Sequence, residues 1–296
     1  MNRFGRLITA MVTPFDAKGA VDYAQAKRLA LALLAAGSDS LVIAGTTGES
    51  PTLTTQEKLR LFSEVKAAVG NRGAVIAGTG SYGTDESMKL TREAEQTGVD
   101  GILLVVPYYN KPTQDGLFAH FSAIAKSTKL PCILYNVPAR TVTNLNAETV
   151  IKLAQVDNIV ALKEASGNLE QASKIIDGVP ATFLVYSGND SDTIPMMALG
   201  ACGVVSVASH LVGRQIKDMM EAFLSGDTRG AAISHRRLLP LVNALFILSN
   251  PIPVKYAVNK IGFQVGKPRL PLTEPDEQTA VKLDAALKRY SIDLPV

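Results

Sequence analysis

The chain of 296 residues has no tryptophan, only two cysteines and only three histidines. Two cysteines make no disulfide framework. Cys132 and Cys202 lie inside the apolar runs PCILY and GACGVVSV, where a small buried thiol is the simplest reading, and a reducing compartment is expected. His120, His210 and His235 are scattered without the spacing of a zinc site, and no metal is expected. Runs of one charge are missing as well. The 30 basic and 27 acidic residues leave a formal charge of +3 spread along the chain, so the clustered basic stripe of a nucleic-acid binder is excluded. No apolar stretch reaches membrane-spanning length, and MNRFGRLITAMVTPF lacks the apolar core of a signal peptide; a cytoplasmic protein with no membrane partner is expected. After the first apolar run stands Thr13-Pro14-Phe15-Asp16, not the glycine-rich turn of a dinucleotide-binding sheet.

What is present is a large apolar fraction, 47%, enough to bury a substantial core. It is concentrated in eight short β-rich runs: LITAMV from Leu7, LVIAG from Leu41, AVIAGT from Ala74, ILLVV from Ile102, CILYN from Cys132, IVALK from Ile159, FLVYS from Phe183 and GVVSV from Gly203. They are continuously apolar rather than alternating, as in strands covered on both faces. Their recurrence, with amphipathic segments between them, predicts an α/β fold of the (β/α)₈ TIM-barrel type. Asp22 opens one such segment, ending near Gly37; Thr54 to Glu57 has the spacing of a capping box; Asp85-Glu86 open a third. Asn189-Asp190-Ser191-Asp192 are expected to cap the helix after the seventh run. The eighth unit ends near Gly226. This gives a barrel over residues 1–226 and a small C-terminal helical region over 227–296.

In a barrel, chemistry sits where strands run into the loops at their C-terminal ends. Run six ends on Lys163. A desolvated lysine favours the neutral amine that imine formation requires, but a side chain that snorkels or pairs with Glu164 fits the same position. Run five ends on Tyr135, either a satisfied core phenol or a proton relay beside such a lysine. Arg140, in the loop beyond, suits a bidentate carboxylate or a salt bridge that fixes the loop. Run two ends in GTTGES, where Gly45 and Gly48 permit a sharp turn and Thr46 and Thr47 supply hydroxyls, a combination that suits an anion. Run four leads to Tyr108 and Tyr109, and run seven to Gly188, which permits close backbone approach. No phosphate-binding glycine loop follows runs seven and eight.

GTTGES (45–50), PYYN (107–110), YNVPART (135–141), ALKEASG (161–167) and YSGND (186–190), in that order along essentially the whole chain, resemble the dihydrodipicolinate synthase/N-acetylneuraminate lyase family of class I aldolases. The resemblance implies that Lys163 forms an imine with pyruvate and that Tyr135 is the general acid/base. It implies that Thr46 links Tyr135 to Tyr109, which a neighbouring subunit supplies, and that Thr47 holds the pyruvate carboxylate. Gly188 and Val205 then line the pocket. Arg140 matches the synthase branch, which condenses pyruvate with aspartate 4-semialdehyde on the route to diaminopimelate and lysine. A sialic-acid or keto-deoxy sugar-acid lyase is the nearest alternative, and a non-catalytic keto-acid-binding barrel a more distant one. No cofactor is implied, and the usual assembly is a homotetramer built as a dimer of dimers. Ser50, Glu86 and Tyr108 match the site at which inhibited members bind lysine, whereas Thr55, Lys58 and Tyr82 depart from it. Lys58 adds a positive charge where a cationic ligand would bind. Feedback by lysine is therefore expected to be weak or absent, and strong inhibition in a titration at low lysine concentration would overturn this.

Overall fold

The computed structural model describes residues 3–296. Eight parallel strands follow one another around a closed barrel in chain order: β1 (Leu7–Ala10), β2 (Ser40–Ile43), β3 (Ala74–Gly78), β4 (Gly101–Val105), β5 (Cys132–Asn136), β6 (Ile159–Glu164), β7 (Leu184–Ser187) and β8 (Gly203–Ser206). Each of the eight predicted runs matches one strand to within two residues at either end. Nearly every strand residue is buried, which is why these runs carry no polar alternation. Among the described residues no helix is long and apolar enough to cross a membrane.

The chain divides into two compact units. The first comprises the segment up to Val75 and the segment from Ser206 onward; the second is Ile76–Val205. Residues 227–296, the predicted C-terminal helical region, contribute the helices Thr228–Leu245, Ile252–Lys260 and Glu277–Leu287 to the first unit.

Local signals set the helix ends in the first unit. Asp22 caps the helix Tyr23–Ala35 by accepting from the Gln25 N–H, at 2.9 Å. Thr54 and Glu57 form a full capping box at the start of Thr55–Val69. Beneath β1, a hydroxyl cluster joins Thr9 to Ser38 (2.6 Å) and Ser209 (2.7 Å), all buried. His210, fully buried, accepts from the Val12 N–H at Nε2 (3.2 Å) and lies 2.9 Å from the Val207 carbonyl at Nδ1. An acceptor at Nε2 requires the proton on Nδ1, so the ring is neutral; burial pushes its pKa down to about 4.

In the second unit, burial likewise pushes the Cys132 thiol up to about 12, leaving it inert. Cys202 differs from its predicted state, being half-buried. The capping prediction at 189–192 also differs. Asp190–Asp192 form a single 3₁₀ turn before the helix Thr193–Ala198, and the Asp192 carboxylate accepts from Asn189 Nδ2 (2.8 Å) and Ser191 Oγ (3.2 Å) rather than from the helix backbone. Neighbouring side-chain donors compete successfully with the helix N–H groups there.

Candidate active site

Parallel pairing of β5 with β6 sets Tyr135 directly opposite Lys163, and Asn136 opposite Glu164. Successive strand residues face opposite sides of a sheet. The Glu164 carboxylate points to the helix side, where it accepts from Asn136 Nδ2 (3.1 and 3.2 Å), the Ser166 N–H (2.6 Å) and Gln171 Nε2 (3.3 Å). Lys163 therefore points the other way, into the barrel. Its side chain is 5% exposed, and its Nζ forms no ion pair or hydrogen bond among the described residues. Its Nζ instead sits 4.1 Å from the centroid of the Tyr135 ring, which is itself buried. The pairing of Lys163 with Glu164 that the sequence allowed is thus absent. A buried lysine held against a phenol, with no counter-ion, is unusual for a structural residue and suits a nucleophile.

The second unit carries six more of the predicted residues: Gly188, Val205, Arg140, Tyr109, Tyr108 and Glu86. Gly188 follows β7, and its N–H donates to the Glu164 carbonyl at 2.6 Å. A Cβ there would fall 2.6 Å from the Ala165 Cβ, so only glycine fits this approach. Val205 is buried on β8. Arg140 is exposed on the four-residue helix Pro138–Thr141 that follows β5. Tyr109 is 93% exposed and takes a left-handed backbone, φ 76°, a strained setting for an aromatic residue. Beside it Tyr108 is half-buried, which raises its pKa, and meets Tyr82 edge to face with ring centroids 5.3 Å apart. Ser81 Oγ donates to Glu86 at 3.0 Å.

The first unit carries the GTTGES turn. The left-handed residues are Ala44 (φ 53°) and Glu49 (φ 56°), not the two glycines on which the sequence reading placed the sharp bend. Gly48 is required for a different reason: a Cβ would lie 3.0 Å from the Ala44 nitrogen and 3.1 Å from the Met11 carbonyl oxygen. Its own carbonyl accepts from Thr13 Oγ1 at 2.6 Å. Thr46 is half-buried. Thr47 is buried, and its Oγ1 accepts from Asn250 Nδ2 at 2.9 Å, which directs the threonine's own proton elsewhere. Ser50 opens the short turn Ser50–Thr52 just beyond.

What the sequence reading missed is the anchoring of this turn. Glu49 and Lys255 form a fully buried ion pair, Oε1 to Nζ 2.8 Å, and Glu49 Oε2 accepts from the Arg269 N–H at 2.8 Å. Lys255 also donates to the Lys267 carbonyl, 3.1 Å away, and lies 4.1 Å from the Phe15 ring centroid. Arg269 covers the same ring at 4.4 Å and pairs with Glu57 at 2.6 Å. Burial pushes Lys255 down to about 8, against the opposing pull of Glu49, so it still holds its proton at neutral pH. The one local signal for Lys255 was a lone lysine in the apolar segment PIPVKYAV. Among the described residues no group of three or more His, Cys, Asp or Glu side chains is placed to hold a metal ion.

The profile of the dihydrodipicolinate synthetase family matches residues 3–290. The chain belongs to that family. Within it, the chain is 62% identical over 296 residues to a 4-hydroxy-tetrahydrodipicolinate synthase from Dehalococcoides mccartyi, covering all of both chains. A synthase of the same name from Moorella thermoacetica is 56% identical over 290 residues, 98% of this chain and 99% of the relative. Among solved structures, dihydrodipicolinate synthase from Bacillus anthracis superimposes with a TM-score of 0.96 at 45% identity, covering 97% of this chain and 99% of that one. The Cyanidioschyzon merolae enzyme, solved with lysine bound, gives 0.96 at 49% identity, with 98% and 99% covered.

Proposed function

We propose that this chain is a 4-hydroxy-tetrahydrodipicolinate synthase, condensing pyruvate with L-aspartate 4-semialdehyde through an imine on Lys163. The observation that carries the reading is the register pairing of Lys163 with Tyr135, which leaves a buried amine against a phenol with no counter-ion. Full-length relatives bearing that name support the same conclusion.

In this reading the Lys163 amine attacks C2 of pyruvate and water leaves, with Tyr135 moving the protons. The protonated imine draws the electrons of a C3–H bond as that proton departs, giving an enamine. The enamine carbon then bonds to the aldehyde carbon of the second substrate, whose oxygen takes up a proton. Attack by that substrate's own amine on the imine carbon closes the ring and releases Lys163. Electron flow is closed within the imine, and the reaction calls for no organic cofactor. Thr47, with its proton directed away from Asn250, and the backbone of its turn hold the pyruvate carboxylate. Thr46 and Tyr109 complete the proton relay. Gly188 and Val205 contribute backbone to the pocket wall.

Arg140 receives the carboxylate of the semialdehyde, which separates this reading from that of a sugar-acid lyase. Arg140→Ala should lower kcat/KM for the semialdehyde roughly 10²-fold, the scale of losing a charge-assisted carboxylate contact, while pyruvate still forms its imine. Condensation unaffected by the change would remove Arg140 from this role.

The almost complete exposure of Tyr109 supports an assembly in which it reaches a neighbouring subunit, a homotetramer built as a dimer of dimers. A monomer in sedimentation at working concentration would contradict that part.

A further inference from the structure

The loop that carries Arg140 begins and ends on the side chains behind the Tyr135–Lys163 pair. Asn136, the last residue of β5, donates through Nδ2 to the Asn144 side-chain oxygen (2.8 Å) and accepts the Leu145 N–H at Oδ1 (3.0 Å). One buried amide thereby closes the loop from 137 to 144 at its stem. The same Nδ2 reaches both oxygens of Glu164. Gln171, on the helix Leu169–Gly178, completes the clasp. It donates to Glu164 (3.3 Å), to the Asn144 side chain (3.3 Å) and to the Leu145 carbonyl (3.4 Å), and accepts from Asn144 Nδ2 at 2.7 Å.

Two features separate this cluster from ordinary core filling. Glu164 is a buried carboxylate with no cation among its partners in the described residues, so the Asn136 and Gln171 side-chain amides and the Ser166 N–H are what satisfies it. The cluster also has a fixed relation to the chemistry: its two strand members, Asn136 and Glu164, each follow one of the paired residues Tyr135 and Lys163. We infer that the Asn136–Asn144–Gln171–Glu164 cluster is a positioning device for the second substrate, setting where the loop presents Arg140 relative to the imine. This rests on the proposed reaction. Asn136, Asn144, Gln171 and Glu164 are positioning residues in this account, since they act through the loop and not on the substrate.

Asn144 is the member to change first. It is only partly buried and lies at the far end of the clasp, so its loss leaves Glu164 its three donors. Asn144→Ala should raise KM for aspartate semialdehyde about 10-fold, while the rate of pyruvate trapping on Lys163 by borohydride stays within about twofold of wild type. Gln171→Ala, on a separate element, should give the same split, and Gln171→Glu, which keeps the acceptor for Asn144 but loses the donor to Glu164, should not restore it. Equal loss of trapping and condensation in both alanine variants would make the cluster merely structural; no change in either would remove it from the reaction. If wild type itself shows no adduct on Lys163, the reaction assignment fails, and that outcome is separate from the two that overturn the clasp.

Discussion

Lys163→Ala is expected to abolish condensation, with a fall in kcat of about 10³-fold or more, and to leave the fold intact. Removing a covalent nucleophile eliminates the intermediate rather than weakening one contact, so no neighbouring group restores the path. The side chain has no ion pair to break, so its truncation strands no buried charge, and the cost in stability is that of a lost apolar stem. Activity and stability should therefore part company: thermal unfolding near that of wild type, and turnover near background. Lys163→Arg, which keeps the positive charge but provides no nucleophilic amine, should be equally inactive. Turnover within tenfold of wild type in either variant would refute the imine.

Lys255→Ala should have the opposite profile. It strands the Glu49 carboxylate, fully buried, with the Arg269 N–H as its one remaining donor among the described residues. Breaking one partner of a buried pair costs about 3–5 kcal/mol, and for a chain of this size that corresponds to a fall in Tm of roughly 5–8 °C. The paired change Glu49→Gln with Lys255→Met removes both charges and should recover most of the loss, because desolvation offsets much of the pair's attraction. Glu49 stands two residues from Thr47, so the single variant should also raise KM for pyruvate as the turn loosens. A Tm within 2 °C of wild type would contradict the anchoring role.

These two lysines show where the sequence was legible and where it was not. Both interrupt apolar segments, IVALK and PIPVKYAV, and local pattern treats them alike. What distinguishes them is a partner: Lys255 finds Glu49 across 206 positions of sequence, whereas Lys163 meets a tyrosine ring and, among the described residues, no carboxylate. Contacts at that separation leave no periodic trace. The strands were legible because a barrel covers both faces of each, so every run is apolar throughout. The helix starts at Asp22 and Thr54 were legible because capping is decided within four residues. At Asp192 the same rule failed, since Asn189 and Ser191 claimed the carboxylate first. In GTTGES the glycines were read as the bend, but crowding by Ala44 and Met11 sets the need for Gly48, and that crowding comes from the fold. The amide cluster behind Tyr135 and Lys163 was invisible for a similar reason. Asn136 and Glu164 read as ordinary polar residues after a strand until register pairing places them side by side.

Borohydride reduction of the protein with pyruvate, followed by peptide mass mapping, shows whether Lys163 carries the imine. One pyruvate-derived adduct is expected, on Lys163, missing from Lys163→Ala and retained in Arg140→Ala. An adduct on another lysine, or none on the active wild-type protein, would contradict it.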